Sequence, residues 1–503
     1  MSKTFRIPLG GSYTNRVSAA NSLDSSSGYV GAGIVGIMVV GKATGSINKD
    51  QRFLNCFLHT VTDAATGQAR KWNVKRPGYG VNNTPAAGSV GSAILVWTGQ
   101  GAGTKVISAF GSTNSTIYDG TTSLGAITGV AKAITETFVS TTATLVVPSS
   151  DSTAWYYDAG VGVMTKIADA DFPGNAGLTL AGSFSHIDGF AVIMSTDGKL
   201  WASDLNSVTG WTATSFDSAN ALPDRGIGCI RHKNLILAFG QQSVQFYQNS
   251  GLTPFPLTVI PHMTQKIGAV SADAITEISG TVFWCGSSPE GGLAVFQYDG
   301  NLGRVSNPEI DSILILAGAS NISMTTTTFY GLHFVIVNAS TTTLVYCIEE
   351  KMWHEWSSME RLWYKCAGVS IGGTMVNYAI SDQSTSGKVF VQNQASLVFT
   401  DNGSTYTRRT QLSNMDLGTN NLKFWHEIEL IGDIETSSTP VTLAYSDDDY
   451  RTYTTWGTLD LSTPRPRAAR LGSSRRRAWA FVDSVNAPAR IESMQGRVTV
   501  GTT

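Results

Sequence analysis

Apolar and polar positions along this chain repeat one outline. A strand-like apolar run comes first, then a Gly/Ser/Thr turn, a short aromatic strand, a second turn and a third strand. The turn-plus-aromatic units read GSTNSTIYDG, SSDSTAWYYD, STDGKLWASD, GQQSVQFYQN, SPEGGLAVFQYDG, STTTLVYCIEE and STSGKVFVQN. Their centres fall at Tyr118, Tyr156, Trp201, Tyr247, Phe296, Tyr346 and Phe390. The spacing is roughly 40–50 residues, the size of one four-stranded propeller blade. One such unit cannot bury its sheet face alone, so neighbours must stack. The pattern predicts an all-β chain built around a six- or seven-bladed β-propeller.

Strand signals, β-branched and aromatic with partial alternation, stand at 94–97, 144–147, 190–194, 235–239, 282–284 and 333–337. No helix longer than two turns is expected, and 183–187 and 222–227 read as connectors. Residues 1–85 read as an N-terminal arm or platform segment, with Pro77, Gly78 and Gly80 marking a turn or linker. Residues 86–403 carry the recurring units. After Gly403 the strands lengthen, at 424–430, 441–445, 477–482 and 489–494, and 404–503 reads as a C-terminal β-sandwich-like domain. The sequence leaves open whether N-terminal strands pair with it.

Composition narrows the class. Hydrophobic residues make up 42% of the 503, ample for a core, while charged residues make up only 14%, against about a quarter in an ordinary soluble domain. Ser, Thr and Gly fill the surface instead, which suits extracellular or viral β proteins whose faces are covered by partners. The formal net charge of −2 supplies no global basic field toward nucleic acid or membrane. Five scattered cysteines, Cys56, Cys229, Cys285, Cys347 and Cys366, do not form a disulfide framework, and most of them read as buried small hydrophobes. The start, MSKTFRIPLGG, lacks the apolar stretch of a signal peptide, and the apolar run 32–40 is too short to span a bilayer. The chain is expected to be made in the cytosol and to stay soluble until assembled.

Motifs that suggest chemistry are weak. Gly31, Gly33 and Gly36 match GxGxxG, but the motif follows a Ser-rich loop and runs into a strand-like IMVV. A dinucleotide fold needs a strand before it and a helix after it. Residues 36–43 mimic a P-loop, yet Ala43 stands where the magnesium-binding hydroxyl belongs. Cys56 and His59 have metal-ligand spacing without a second pair nearby. No cofactor and no metal are expected, and no nucleophile elbow or HExxH occurs.

Two features stand in the C-terminal region. Residues 446–453, SDDDYRTY, form a degenerate Asp-box, a structural turn in which carboxylate and hydroxyl satisfy loop donors. Next comes TPRPRAARLGSSRRR, with Arg465, Arg467, Arg470, Arg475, Arg476 and Arg477. Arg465, Arg467, Arg475, Arg476 and Arg477 are candidate contacts for DNA or an acidic partner. The plainer reading is a solvated loop.

Several blocks together carry a family resemblance. QRFLNC at 51–56 followed by KRPGY at 75–79 resembles the N-terminal QRxxN…KxPG pattern of the tail hub, or nozzle, proteins of short-tailed bacteriophages, also called packaged-DNA stabilisation proteins. PDRGI at 223–227, LILAFG at 235–240, VQFYQNSG at 244–251, PFP at 254–256 and QKIG at 265–268 are similar to that family's central signature. The Asp-box-like turn and the arginine loop resemble its C-terminal segment, while the Gly/Ser-rich segment 18–45 departs from its short N-terminus. The resemblance implies a virion protein assembled in the host cytoplasm, with no catalytic residues and no membrane insertion. It implies a homohexameric ring below the portal and the tail adaptor, holding packaged double-stranded DNA, carrying tail fibres or spikes and opening for ejection. Two rival classes are a glycan-binding or sialidase-like propeller and a propeller scaffold for protein–protein contacts. The first would need a carboxylate pair or an arginine triad on one face, and the sequence offers no candidate.

Overall fold

The computed structural model describes residues 2–8, 30–31, 52–62, 67–99, 103–139, 142–158, 160–219, 221–287, 291–358, 360–383 and 385–501. The P-loop-like stretch 36–43 lies outside the described residues, as do the segment 18–45 and the GxGxxG match apart from residues 30–31. The chain forms two compact units. One comprises Val81–Thr343 and Met359–Ala395; the other comprises Met1–Gly80, Leu344–Ser358 and Ser396–Thr503.

The first unit is the propeller, with seven blades. Five run in sequence order, each from an inner to an outer strand: Gly91–Trp97 to Thr122–Ile127, Thr135–Val139 to Val163–Lys166, Leu180–Ile187 to Trp211–Ser218, Gly226–His232 to Leu257–Val259, and Ile275–Ile278 to Leu302–Arg304. The sixth contributes the hairpin Ile322–Phe329 and Leu332–Ala339 to this unit. The seventh has three strands, Lys365–Ile371, Thr374–Ile380 and Val389–Asn393, and takes its outer strand, Gly80–Asn83, from the other end of the unit's sequence. In the third, fifth, sixth and seventh blades the first two strands are joined by tight turns in which both residues take positive φ, at Asp188-Gly189, Ser279-Gly280, Tyr330-Gly331 and Gly372-Gly373. That geometry matches the twist of the flanking strands.

Neighbouring blades bury their faces against each other. Trp97 and Ile107 of the first blade meet Leu145 and Val147 of the second. Val192 and Met194 of the third meet Ile236 and Tyr247 of the fourth. Leu237 and Phe246 of the fourth meet Val282 and Trp284 of the fifth. The ring closes where Val376, Tyr378 and Ile380 of the seventh blade meet Ile94 and Phe110 of the first. Each fully buried Leu, Ile or Phe contributes about 1.5–3 kcal/mol, so every blade depends on both neighbours.

Side chains from one blade cap the backbone of a neighbouring one. Thr135 Oγ1 donates to the Phe184 carbonyl at 3.1 Å, Ser185 Oγ to that of Cys229 at 3.2 Å, Ser271 Oγ to that of Ile322 at 3.3 Å, and Asn377 Nδ2 to that of Thr328 at 2.7 Å. The third and fourth inner strands touch backbone to backbone: a Cβ on Gly182, whose φ is +76°, would lie 3.0 Å from the Gly228 Cα. Residues 183–187, expected as a connector, therefore form an inner strand, and Gly226 opens another. The expected absence of a longer helix is also corrected. Pro308–Ala317 is a ten-residue helix, with the Asn307 side chain accepting from Ile310 N at 2.9 Å and Gly318 at its end. Its cap, Pro at the first turn and closing glycine were all present in the sequence.

The second unit is a two-layered β-sandwich. One sheet runs Val30–Gly31, Ser2–Pro8, Arg490–Val500, Lys423–Gly432 and Arg467–Ala469, and the hairpin Cys56–Thr62 and Ala69–Lys75 joins it through Arg490–Val500. The other contains Met352–Trp356, Arg52–Leu54, Arg408–Gln411, Ala478–Asp483, Pro440–Ser446 and Thr454–Asp460 in that order. Trp425, Ile428, Met494 and Val498 from the first pack on Val441, Leu443, Trp479 and Phe481 from the second. Where the sequence reading separates an arm at 1–85 from a domain at 404–503, the structure groups Met1–Gly80 with Ser396–Thr503. The physical reason is strand pairing: Ser2–Pro8 lies antiparallel to Arg490–Val500, and Arg52–Leu54 antiparallel to Arg408–Gln411.

Candidate functional site

The arginine loop follows the strand Thr454–Asp460 and is divided between two acidic partners of the same chain. On one side, the Asp-box-like turn is built as its residue types dictate. Ser446 Oγ donates to Asp448 at 2.8 Å, Thr452 N and Oγ1 donate to the same carboxylate at 3.0 and 2.6 Å, and Tyr450 N donates to Ser446 Oγ at 2.9 Å. The hydrogen bonds from Thr452 and then Ser446 hold Asp448 down at about 2. With Asp448 turned into the loop, Asp447 and Asp449 face the arginines. Arg477 Nε and Nη2 each reach Asp447 at 2.7 Å, and Arg476 Nη2 reaches both oxygens of Asp449 at 2.5 and 2.6 Å.

Arg477 is not a surface group. It is 1% exposed; its Nη1 donates to the Leu471 carbonyl at 2.5 Å, and its guanidinium lies 4.0 Å from the Tyr445 ring centre and 5.2 Å from that of Trp479. Arg475 is exposed and donates to the Asn420 carbonyl at 2.8 Å. Its own carbonyl accepts from the buried Lys423 Nζ at 2.6 Å, and that ammonium also caps the carbonyls of Thr419 and Asn421. On the other side, Arg465 and Arg467 lie over Glu429 at 3.0 Å each, and Arg467 also reaches Glu427 at 3.3 Å. The structure thus keeps Arg475, Arg476 and Arg477 in one group and Arg465 and Arg467 in another. Sequence reasoning missed Arg497, which joins the second group through Glu427 at 3.5 Å. Its only signal was its place, seventy residues downstream, on the strand pairing with Lys423–Gly432.

The resemblance blocks near the N-terminus form buried polar networks in the sandwich unit. Arg52 pairs with Glu355 through two contacts, at 2.8 and 2.6 Å. Asn55 Oδ1 accepts from Arg76 Nε and from Ser357 N, both at 2.9 Å, while its Nδ2 donates to the Thr407 carbonyl at 2.7 Å. Arg76 also pairs with Asp401 at 2.5 Å and lies 3.9 Å from the Tyr406 ring centre. Gly78 leaves room for the Thr400 carbonyl, which would stand 2.1 Å from an added Cβ. Beside this network Asp483 pairs with both Lys75 at 2.6 Å and Arg408 at 2.8 Å, all three side chains fully buried. Burial lowers the Lys75 pKa, and Asp483 opposes that shift.

The central block is likewise structural. In the fourth blade Asp224 accepts from Gln242 N at 2.6 Å and from Ser243 Oγ at 3.2 Å, and Gln241 N donates to the Arg225 carbonyl at 3.0 Å. PDRGI and GQQS therefore hold one another.

Two further Asp-box-like turns went unread in the sequence. In the third blade Ser195 Oγ bonds Asp197 at 2.5 Å and accepts from Trp201 Nε1 at 3.0 Å. In the second, Thr153 N donates to Asp151 at 3.0 Å and Trp155 Nε1 donates to Thr153 Oγ1 at 3.0 Å. Partial burial pushes the Asp151 pKa up, but hydrogen bonds led by those from Thr128 and Thr153 outweigh it and hold the carboxyl at about 2. The S-x-D-x-x-x-W spacing was their signal. The metal reading gains no third ligand: among the described residues no three His, Cys, Asp or Glu side chains are grouped to hold an ion.

These arrangements position backbone and bury charge; they assemble no reacting constellation. The model of the phage-stabilisation family, described as bacteriophage P22 Gp10, β-propeller, matches residues 94–367. The match runs from the first blade's inner strand to the start of the seventh's and covers more than half of the 503 residues. No curated protein matches the chain. The seven-bladed ring and the family match agree, and this chain belongs to the phage-stabilisation family of bacteriophage P22 Gp10, as a structural β-propeller protein of the tail of short-tailed phages.

Proposed function

We propose that this chain is the subunit of a tail nozzle: a homohexameric ring beneath the portal and adaptor that retains packaged DNA, anchors fibres or spikes and forms the ejection channel. The carrying observation is the seven-bladed ring, in which the inner strands of neighbouring blades come into backbone contact at Gly182 and Gly228, because the channel of a single propeller is narrow and lined by such strands. Duplex DNA has no path along it. A channel must then lie between subunits around a shared rotation axis, in a closed heterologous ring. The low charge density suits broad subunit contacts with little desolvation cost. The role is non-enzymatic: the buried ion pairs are structural, and the Asp-box-like turns bind their own loops. Among the described residues no helix is long and apolar enough to cross a membrane.

Mass measurement of the purified protein and imaging of isolated tails test the ring. A six-fold ring on the tail axis is expected, with the free protein monomeric before docking. A single copy per particle, or a position at fibre tips, would overturn the nozzle reading. Mutation-sensitive hydrolysis of a sialoside or polysaccharide would overturn the non-enzymatic one.

A further inference from the structure

We infer that the outer face of the sheet holding Lys423–Gly432 and Arg490–Val500 is a docking surface for a second tail protein that presents a row of carboxylates. The inference rests on the chain's proposed place in the tail.

The inward side chains of these strands, Trp425, Ile428, Leu430, Met494 and Val498, are in the sandwich core. The outward side carries Phe424, His426, Glu427, Arg467 and Arg497, with Arg465 beside them. Phe424 is 44% exposed, unusual for so large an apolar group. Three guanidiniums share two carboxylates. Glu429 lies 3.0 Å from Arg465 and from Arg467; Glu427 lies 3.3 Å from Arg467 and 3.5 Å from Arg497. The side chains of Arg465, Arg467 and Arg497 are 68%, 53% and 56% exposed, whereas that of Glu429 is only 10% exposed. The carboxylates sit beneath and fix the arginines, and the remaining guanidinium donors face solvent. A fixed fork loses less freedom on pairing with an incoming carboxylate than a free one does.

The chemistry favours protein over DNA. Three arginines on two glutamates leave one net positive charge, too little for the counterion release that drives duplex binding. An exposed phenylalanine at the end of an arginine row is the composition of a protein interface, where aromatic residues and arginine are enriched. A second copy of this chain is disfavoured. Of the acidic groups in this unit, Asp433, Asp447, Asp449 and Glu492 are already paired with Arg490, Arg477, Arg476 and Arg70.

The test uses assembled particles carrying Arg467→Lys, or Arg497→Lys as a second position, treated with a water-soluble carbodiimide. The reagent activates a carboxylate, the lysine amine displaces it to form an amide, and the reagent leaves as its urea. The expected product joins position 467 or 497 to an Asp or Glu of a different tail protein, and it is lost when the reaction is run in high salt. Crosslinks confined to Glu427 or Glu429 of the same chain, or joining two copies of this chain, would overturn the inference. So would salt-sensitive binding of the purified protein to a short fluorescent duplex that Arg465→Glu, Arg467→Glu and Arg497→Glu together abolish. Failure to find the chain on the tail axis defeats the nozzle reading; a full complement there without the intermolecular amide defeats only this inference.

Discussion

Arg477 and Asp447 form a two-pronged ion pair, 2.7 Å on each prong, in which the arginine is buried and the aspartate is 37% exposed. Removing the guanidinium leaves the Leu471 carbonyl and the partly exposed Asp447 carboxylate without their donor and a gap beside Tyr445 and Trp479. Arg477→Gln is expected to destabilise the sandwich unit by about 2–3 kcal/mol, whereas Arg475→Gln and Arg476→Gln, at exposed positions, should each change stability by about 0–1 kcal/mol. Denaturant unfolding of the three single variants measures this. Equal effects would refute the division of the loop into one structural and two surface arginines.

The carboxylate of Asp483 serves two buried cations, Lys75 and Arg408. Asp483→Asn keeps the shape and removes the charge that balances them. The expected loss is about 3–5 kcal/mol, read as a drop in the melting temperature of that unit with the propeller transition unchanged. A melting curve like that of the parent chain would show that Lys75 deprotonates at little cost.

His354 is buried, and burial pushes its pKa down to about 3. Neither ring nitrogen finds a hydrogen-bond partner. Its folded pKa is depressed below the ordinary value of about 6.5, so the unfolded chain takes up a proton first as pH falls. Stability should therefore decline below pH about 6.5, by up to about 1.4 kcal/mol per pH unit from this residue. His59, His186 and His232 are shifted down by burial as well and add to the slope. Between pH 5 and 6.5, above the range where most carboxylates titrate, His354→Phe should flatten the dependence by one proton's share. An unchanged slope would show that His354 is hydrated in solution.

Removing 181–221 excises nearly all of the third blade, and the second and fourth would then have to meet across its place. Because each blade face is buried on a neighbour, the variant should lose cooperative unfolding of the whole propeller rather than shorten it. A smaller change probes the same contact. Gly182→Val places a side chain 3.0 Å from Gly228 at a positive φ, with an expected cost of about 2–4 kcal/mol. A soluble deletion variant of parental stability would argue against ring closure.

Much of the propeller was legible because its signal is local. The seven aromatic centres, from Tyr118 to Phe390, each lie on a strand of the structure: Ser115–Asp119, Ala154–Asp158, Lys199–Ser203, Val244–Asn249, Ala294–Tyr298, Thr342–Cys347 and Val389–Asn393. The count stayed at six or seven because the last blade takes Gly80–Asn83 from far upstream, and no local pattern announces a partner so distant. The arginine loop was visible as a charge run. Its partners were not, since Glu427, Glu429, Asp447 and Asp449 approach it only through strand pairing and a turn. The Asp-box and the triple arginine were read as two features, and they are two halves of one ion-paired corner.

The borrowed outer strand of the seventh blade also sets a timetable for synthesis. Gly80–Asn83 leaves the ribosome early, yet the strands it joins are complete only about 300 residues later. At about 5–20 residues per second that interval is about 15–60 s. Throughout it the first blade exposes the apolar face that Val376, Tyr378 and Ile380 will cover, and the nascent chain carries a sticky flank that grows no smaller as blades are added. The circle cannot be joined before the strand Val389–Asn393 has emerged, so chains cut short of it stay open and cannot present a closed ring to the growing tail.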